Sequence, residues 1–453
     1  MRKPQLIKDE GHQQVHERVA GIDVAKASAA VCLRTPGKPG CSQVWTEVAA
    51  TMGSVTELGR MLLKERTELV VMEATSDYWK IWFYVLESLG LMVQLVDPAQ
   101  VRQLRGRPKT DKLDAQWLAR LAGWGMLRPC FVPAAPVRVL REYTRARADL
   151  VRDRTRCWQR LEKLLEGALI KVSSVASKIN TESVKDMIRA MTEGERDPQV
   201  LAGLARTRMK AKHGALVQAL TGMWQDHHGV LARQLLDQAA YLDTLIGEVE
   251  GQIAVTVAAI PAAWGVDADG VTGPGAGHGP DAARLDAVTR LDEVTGISAQ
   301  MAMAVIGETG LDMTRFPTPA HLVSWTGLCQ AANQSGPRPR KGKKKHGNHY
   351  LRSILSQAAT GTRDTSTFLG ERYRRIRRRR GAAIAQTAVA RSILTIIWHL
   401  LADPDARYTD LGEDYHTSRI SKEKKIRGHL SQLRALGVDL PPITWPKDHT
   451  PAA

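Results

Sequence analysis

Short apolar runs alternate with helical patterns between residues 19 and 98, and this alternation limits the possible folds more than any other feature of the chain. Residues of the type favoured in strands occupy 19–25, 29–33, 69–74 and 91–98. Apolar residues three or four positions apart occupy 54–66 and 78–89. Strands that alternate with helices in this way predict an α/β layer with a largely buried sheet.

The remaining chain is mainly helical in pattern, and its composition divides it. The predicted segments are a flexible tail at 1–17, an α/β domain at 18–136, a helical region at 137–262, a Gly-rich linker at 263–284, a mainly α domain at 285–400 and a tail at 401–453. Leu235, Leu242 and Val249 are seven residues apart, as are Ile246 and Ile253. This spacing is typical of a coiled-coil-like hairpin or a dimer seam, although a plain packed helix has nearly the same pattern.

Composition excludes several classes of protein. The 453 residues are 43% hydrophobic and 25% charged, which is typical of a globular protein. We expect neither a membrane span nor a secretory signal, because no long uncharged apolar stretch and no apolar N-terminal core occur. The five cysteines are scattered and form no CxxC pair, which argues against a disulfide framework and a zinc site. A cytoplasmic protein is expected.

Positive charge is concentrated in two blocks. The chain carries a net charge of +17, with a net +10 in residues 101–160 and a net +13 in residues 336–380. Blocks of this density predict two nucleic-acid contact surfaces, whereas the simpler alternative is solvated helix faces. The predicted nucleic-acid contacts are Arg105, Arg107, Lys109, Lys341, Lys343, Lys344, Lys345, Arg352, Arg374, Arg375, Arg377 and Arg378.

Four acidic residues occupy positions that require an explanation. Asp23 and Glu73 each end a predicted buried strand, where a carboxylate is costly unless a cation or a donor compensates it. Asp111 and Asp114 lie three residues apart on one face of a predicted helix whose apolar stripe includes Trp117. Carboxylate oxygens of this kind are suitable ligands for Mg²⁺ or Mn²⁺ in phosphoryl transfer. Alternatively, Asp111 is a first-turn acid favoured by the helix dipole and Asp23 caps a turn.

These residues, together with motifs in the second half, resemble the DEDD-type insertion-sequence transposases. The N-terminal motifs are Ala20-Gly-Ile-Asp-Val-Ala-Lys, Met72-Glu-Ala-Thr-Ser-Asp-Tyr-Trp and Lys109-Thr-Asp-Lys-Leu-Asp-Ala. The C-terminal motifs are Thr295-Gly-Ile-Ser, Leu322-Val-Ser-Trp-Thr-Gly-Leu, Gln334-Ser-Gly and Gly347-Asn-His-Tyr-Leu-Arg. The resemblance extends over roughly residues 18–410 and includes two separate domains.

The resemblance implies a RuvC-like (ribonuclease-H fold) catalytic domain at 18–136 and a C-terminal transposase domain. It implies that Asp23, Glu73, Asp111 and Asp114 hold a divalent metal and that Ser335 forms a covalent link to DNA. It also implies donor and target DNA as substrates and a structured guide RNA as a partner. On the residues alone, a serine in Asn-Gln-Ser-Gly-Pro is usually a turn serine, and Ser335 fits that description.

Two other functions compete with a transposase. One is a RuvC-like metal nuclease, such as a Holliday-junction resolvase, in which water replaces the serine. The other is a nucleic-acid-binding protein without catalytic activity. Because strand exchange needs paired active sites, we expect a dimer or a tetramer.

Overall fold

The computed structural model describes residues 5–7, 13–37, 40–103, 111–260, 263, 265–266, 272–273, 286–334, 339–344, 347–418 and 422–438. The chain forms two compact units, Met1–Val132 and Pro133–Ala453, which we call the N-terminal and C-terminal units. The N-terminal unit is mixed α/β and the C-terminal unit is mainly helical. This agrees with the predicted fold class at the level of secondary structure.

The N-terminal unit contains a mixed sheet in the order β1-β4-β3-β2-β5-β6. Its elements are β1 (Gln5–Ile7), β2 (Val19–Val24), β3 (Ser28–Gly37), β4 (Gly40–Ala49), α1 (Met52–Lys64), β5 (Leu69–Glu73), α2 (Trp79–Ser88), β6 (Val93–Val96), α3 (Pro98–Gln103) and α4 (Asp111–Gly123). Strands β2, β3 and β4 are antiparallel neighbours, and β5 and β6 continue the sheet parallel to β2. The predicted strands and helices between residues 19 and 98 are confirmed, whereas β4 was not predicted.

Opposite faces of this sheet bury different helices, because alternate residues of a strand point to opposite sides. Ala20 and Ile22 of β2 pack with the helices α1 and α2, whereas Val19 packs with α4. Helix α4 buries a face that includes Ala115, Leu118, Ala119 and Ala122.

The buried face of α4 differs from the predicted stripe. Trp117, which the sequence assigned to the stripe, is only partly buried and lies at the edge of this core. The small side chains of Ala115 and Ala119 allow the helix to approach the sheet more closely than a stripe of large residues would.

The C-terminal unit is a helical assembly with two short hairpins. Its elements are α5 (Ala135–Gly167), α6 (Val172–Val175), α7 (Glu182–Thr192), α8 (Pro198–Gly203), a 3-10 helix (Thr207–Lys212), α9 (His213–Leu220), α10 (Asp226–Ala258), β7 (Gly265–Val266), β8 (Thr272–Gly273), α11 (Ala287–Asp292), α12 (Ala299–Thr309), a second 3-10 helix (Met313–Arg315), α13 (Pro319–Thr326), β9 (Gln330–Gln334), β10 (Pro339–Lys344), α14 (His349–Gly361), α15 (Phe368–Arg380), α16 (Ala382–Ala402), α17 (Tyr415–Ser418) and α18 (Lys422–Ala435). Helices α6 to α9 form a local core with the adjoining ends of α5 and α10.

The long helices α5 and α10 pack side by side in antiparallel directions. Arg147 contacts Glu250, and further along α5 Arg154 contacts Asp243, which lies earlier on α10. Of the apolar residues predicted to form a seam, Leu242, Ile246 and Ile253 are buried on α10, whereas Leu235 and Val249 are only partly buried. Part of the predicted apolar seam therefore packs within one chain, against α5. A coiled-coil-like middle region is not confirmed.

Helix α16 forms much of the core of the C-terminal unit. By length and composition it is apolar enough to cross a membrane, but Val389, Ile393, Leu394 and Ile397 are fully buried in the protein. A buried core helix accounts for this composition.

Three predicted irregular segments contain structure. Residues Gln5–Ile7, in the predicted flexible tail, pair with β4, and β7 pairs with β8 inside the predicted Gly-rich linker. Beyond α16, the backbone oxygens of Asp403 and Ala406 accept hydrogen bonds from Arg290, at 3.0 and 3.5 Å. The first part of the predicted C-terminal tail is therefore attached to the helical core.

Candidate active site: a cavity lined by carboxylates

The four acidic residues singled out in the sequence line one cavity of the N-terminal unit. Its volume is about 610 Å³. The lining residues are Asp23, Val24, Ala25, Ser28, Ala29, Ala30, Trp45, Glu47, Glu73, Ala74, Thr75, Pro98, Asp111 and Asp114. Most of the other lining side chains are small, so room remains between the carboxylates.

Sheet pairing places Asp23 and Glu73 side by side. Strands β2 and β5 are parallel neighbours, and the pairing of Ile22 with Met72 makes the two acids the next residues of the register. Asp23 alternates with the buried Ile22, so its side chain points to the face of the sheet that α4 covers. The same alternation directs Glu73 to that face.

Gly21 determines how closely α4 approaches this edge of the sheet. A Cβ atom at Gly21 would lie 2.3 Å from the backbone oxygen of Ala115 and 2.4 Å from the backbone nitrogen of Ala119. Helix α4 can therefore lie against β2 only because residue 21 has no side chain. The sequence did not predict this role of Gly21, which there is only one residue of the motif Ala20-Gly-Ile-Asp-Val-Ala-Lys.

The first turn of α4 supplies the other two acids. Asp111 is exposed and Asp114 is partly buried. Negative side chains are favourable in the first turn of a helix because the helix dipole is positive there. This stabilisation and a role in the cavity are compatible, so the structural alternative for Asp111 does not exclude the functional one.

A fifth carboxylate lines the cavity, that of Glu47, and the sequence did not predict it as a site residue. On β4 it pairs across the sheet with Ala30, which also pairs with Asp23 on the other side. Its Oε1 accepts a hydrogen bond from the Ser28 hydroxyl at 2.9 Å. The alternation of Trp45 and Glu47 along a strand would have placed Glu47 on this face, had β4 been predicted.

The cavity has suitable donor chemistry for a divalent cation, since carboxylate oxygens are the ligands that Mg²⁺ and Mn²⁺ prefer. Within the part of the chain that the structure describes, however, no three Asp, Glu, His or Cys side chains form a ready-made metal-binding group. The carboxylates that share the cavity must move toward a common point to ligate one ion.

Two nearby acids, Asp97 and Asp77, have structural roles. Asp97 accepts a hydrogen bond from the backbone nitrogen of Ala99 at 2.8 Å and so stabilises a turn. Asp77 pairs with Lys80 at 3.1 Å on an exposed surface. Neither acid lines the cavity.

Several predicted site residues lie outside the described residues, namely Ser335, Arg105, Arg107, Lys109 and Lys345. Lys341, Lys343 and Lys344 belong to β10, which pairs with β9, but their side chains are not described. Ser335 follows β9 directly in the chain.

The other predicted nucleic-acid contacts lie on helices of the C-terminal unit. Arg352 is partly buried on α14, and Arg377 and Arg378 are exposed on α15. Arg374 donates to the backbone oxygen of Thr365 at 2.8 Å and lies near two acids, whereas Arg375 contacts His416 at 3.2 Å.

A cluster around a buried acid ties three helices of the C-terminal unit together. Glu308 on α12 is 1% exposed, and both of its carboxylate oxygens accept hydrogen bonds from Arg145 on α5, at 2.7 and 2.8 Å. Asn348, which caps α14, donates to the same carboxylate at 2.5 Å. Arg145 also lies over the ring of Tyr350 at 4.8 Å. Several arginines of the first basic block therefore serve to join helices.

Two family models match separate parts of the chain. A model of the DEDD transposases of the IS110 type, described as "Transposase", matches residues 20–170. A model described as "Transposase IS116/IS110/IS902 family" matches residues 288–374. The first segment contains the five acids that line the cavity, and the second contains Ser335.

Individual similar proteins cover smaller parts of the chain. A protein of Sinorhizobium fredii (strain NBRC 101917 / NGR234), named "Putative transposase y4qE", is 28% identical over 136 residues, which are 30% of this chain and 35% of the relative. The chain thus matches about a third of the length of that relative.

Two solved structures of Thermus thermophilus RuvC, one alone and one with a Holliday junction substrate, are each 16% identical to the chain. They cover 25% of this chain and 99% and 100% of their own, with TM-scores of 0.20 and 0.21.

Proposed function

The chain belongs to the IS110 family of DEDD transposases, and on this premise we propose that it cuts and rejoins DNA through a covalent 5′-phosphoserine intermediate. The observation that carries the proposal is the cavity that Asp23, Glu73, Asp111 and Asp114 line together. Asp23, Glu73 and the first turn of α4 are distant in sequence, and the pairing of β2 with β5 and the packing of α4 on β2 bring them to one cavity.

The carboxylates of the cavity would hold Mg²⁺ or Mn²⁺. A divalent cation bound there supplies positive charge to the attacked phosphate. Asp23 and Glu73, fixed at the ends of neighbouring strands, form the rigid part of this site, whereas Asp111 and Asp114 are carried by α4. Glu47 is close enough to contribute to the negative potential of the cavity.

Ser335 is the proposed nucleophile. Its Oγ forms a bond to the phosphorus, the bond from phosphorus to the 3′ oxygen breaks, the serine proton is lost and the 3′ oxygen takes up a proton. One phosphodiester replaces another, so a 3′ hydroxyl of a second strand can reverse the step without an external energy source. A serine hydroxyl needs activation for this attack, which is the proposed purpose of a metal site.

The proposed substrates are donor and target DNA, and the proposed partner is a structured RNA from the non-coding end of the mobile element. The guide RNA rests on the family resemblance alone. We also propose that the protein acts in the cytoplasm, on the nucleoid, as a dimer or tetramer.

The test is a covalent adduct assay with full-length protein, Mg²⁺, labelled element-end DNA and RNA transcribed from the adjoining non-coding segment. Wild-type protein is expected to form an adduct that survives denaturing electrophoresis, and S335A is expected to form none. D23N, E73Q and D114N are expected to bind DNA but to lose the adduct and the cut. Matched controls are S324A, at an exposed position of α13, and D77N, beside the cavity but not lining it.

The competing functions predict different results. A resolvase that uses water would cut normally as S335A, and a binding protein without catalytic activity would behave identically in all carboxylate variants. Omission of the RNA tests the guide separately, since a transposase that needs no guide would form the adduct without it.

A further inference from the structure

Three arginines meet where α15 and α16 form a helical hairpin. Gly381, with a φ of +84°, allows the chain to reverse between the two helices. Arg372 and Arg375 lie one turn apart on α15, and Arg391 lies on α16. Arg391 is the only Asp, Glu, Lys or Arg in α16, so a single charge interrupts an otherwise apolar core helix beside two other arginines.

The charge of this cluster is poorly compensated. Burial lowers the pKa of Arg372, and repulsion from Arg375 and Arg391 lowers that pKa further. The buried Nε atoms of Arg372 and Arg375 have no hydrogen-bond partner among the described residues. Buried donors of this kind are costly to leave unsatisfied.

Neighbouring arginines of the same helix are arranged differently. Arg374 lies 3.6 Å from Glu371 and 3.7 Å from Glu413, and Arg378 lies 3.9 Å from Glu371. The group that contacts Arg375 is instead a histidine, His416. Among the described residues, Glu371 and Glu413 therefore pair with Arg374 and Arg378, and the charges that act on Arg372 are those of Arg375 and Arg391.

We propose that Arg372, Arg375 and Arg391 bind a backbone phosphate of nucleic acid. A guanidinium group matches the geometry of phosphate oxygens and can donate two parallel hydrogen bonds to them. A phosphate on the cluster would accept hydrogen bonds from the guanidinium groups and would supply the negative charge that the cluster lacks.

Nucleic acid is a better ligand for this surface than a small phosphate compound. Arg391 is exposed, so the cluster is open to a large ligand. Arg377, Arg378, Arg379 and Arg380 are exposed on the following turn of α15 and would extend the contact along a polyanion. The inference rests on the proposed function only in taking nucleic acid as the substrate.

The test measures binding of fluorescently labelled duplex DNA to the full-length chain over a series of KCl concentrations. R372M and R391M are expected to weaken binding about tenfold and to reduce the slope of log affinity against log salt by about one, as expected for one lost phosphate contact. R391K, which keeps the charge, is expected to restore most of the affinity. The charge-matched control is R60M, at an exposed position of α1 outside both basic blocks, with an expected change below about twofold.

Thermal unfolding separates binding from a structural role. Because each variant removes a like charge from the cluster, neither is expected to lower the Tm in the absence of DNA. R391M alters an exposed position, so it remains informative if R372M fails to fold. Affinity and salt slope equal to those of R60M, or affinity lost only together with the Tm, would overturn the proposal.

A second ligand distinguishes the source of the phosphate. Stabilisation of the wild type by inorganic phosphate, lost in R372M, without any effect of these variants on DNA binding, would identify a site for a free anion and contradict the proposal. If the carboxylate variants bind DNA but do not cut it, this inference is unaffected. If substitution of the arginines leaves DNA binding unchanged, this inference fails but the proposed catalysis is unaffected.

Discussion

Because Gly21 has no side chain, α4 packs closely on β2, and its first turn lies near the ends of β2 and β5. We predict that G21A destabilises the N-terminal unit by roughly 1–3 kcal/mol, because its Cβ would lie within 2.5 Å of two backbone atoms of α4. DNA cleavage is expected to fall more than stability, since Asp111 and Asp114 move with the helix. Urea denaturation and the cleavage assay measure the two effects.

The matched control for this prediction is G53A on α1. A Cβ at Gly53 would have no neighbour within 4 Å, so the substitution is expected to be neutral or mildly stabilising. If G21A were as stable and as active as G53A, close packing of α4 on β2 would not be needed for the site.

Buried Cys32 predicts a loss of stability at alkaline pH. Burial raises the pKa of this thiol from 9.0 to about 12. Below pH 9 the thiol is protonated in both states, whereas between pH 9 and 12 the unfolded chain alone ionises, which favours unfolding. C32A should therefore lose less stability than the wild type between pH about 8 and about 10.5, as measured by urea denaturation. Equal losses in both proteins would exclude this contribution.

The acids that line the cavity were predictable as candidates where one local signal was sufficient. Asp23 and Glu73 end apolar runs, and a carboxylate at the end of a buried strand is conspicuous in any sequence. Glu47 and Gly21 were missed because their roles depend on neighbours that are far away in the chain. Glu47 reaches the cavity through pairing of β4 with β3, and Gly21 matters only once α4 is packed on β2.

At the scale of elements, α5, α12 and α14 depend on the buried Glu308. We predict that E308Q lowers the free energy of unfolding of the C-terminal unit by about 2–3 kcal/mol, because the charge-assisted hydrogen bonds from Arg145 are lost inside the protein. Denaturant unfolding followed by helical circular dichroism measures this change.

An exposed acid provides the comparison. E248Q, on the exposed side of α10, removes the same charge and is expected to change stability by less than about 0.5 kcal/mol. If E308Q and E248Q were equally stable, the hydrogen bonds around Glu308 would make no net contribution.

The sequence predicted that a helix is present more readily than it predicted the element against which that helix packs. The spacing of Ile246 and Ile253 correctly indicated one buried side of a long helix. The same spacing suits a partner in the same chain or in a second chain, and periodicity carries no information about which is chosen. Strand β4 was missed for a similar reason, because it is recognisable mainly through its pairing with β3 and β1.

At the scale of the whole molecule, the two basic blocks differ in what they do. In residues 101–160, Arg145, Arg147 and Arg154 pair with acids of other helices, so part of that charge stabilises the fold. In α15, by contrast, four consecutive arginines are exposed and three others cluster or pair at the α16 hairpin. Net charge in the sequence therefore predicted a nucleic-acid partner but not which arginines are available to bind it.

Because the inner side of α10 packs against α5, a contact between protomers through α10 would have to use its outer side. The inner side of α10 is already covered, whereas Tyr241 and Val255 on its outer side are 64% and 67% exposed. We predict that the wild type with DNA has a mass of at least twice the 49.9 kDa of one chain by light scattering, and that Y241D combined with V255D reduces it toward one chain. An unpaired charge at a position that becomes buried in an interface is costly to desolvate.

Substitutions on the inner side of α10 should affect thermal stability, whereas substitutions on its outer side should affect assembly. I246D places a charge at a position that is 5% exposed against α5, so it is expected to lower the Tm whatever the state of assembly. The outer double variant should keep the Tm of the wild type while losing mass and strand exchange together, because exchange requires two active sites in one complex. An unchanged mass would place the contact elsewhere, and an active single chain on DNA would refute the proposed dimer or tetramer.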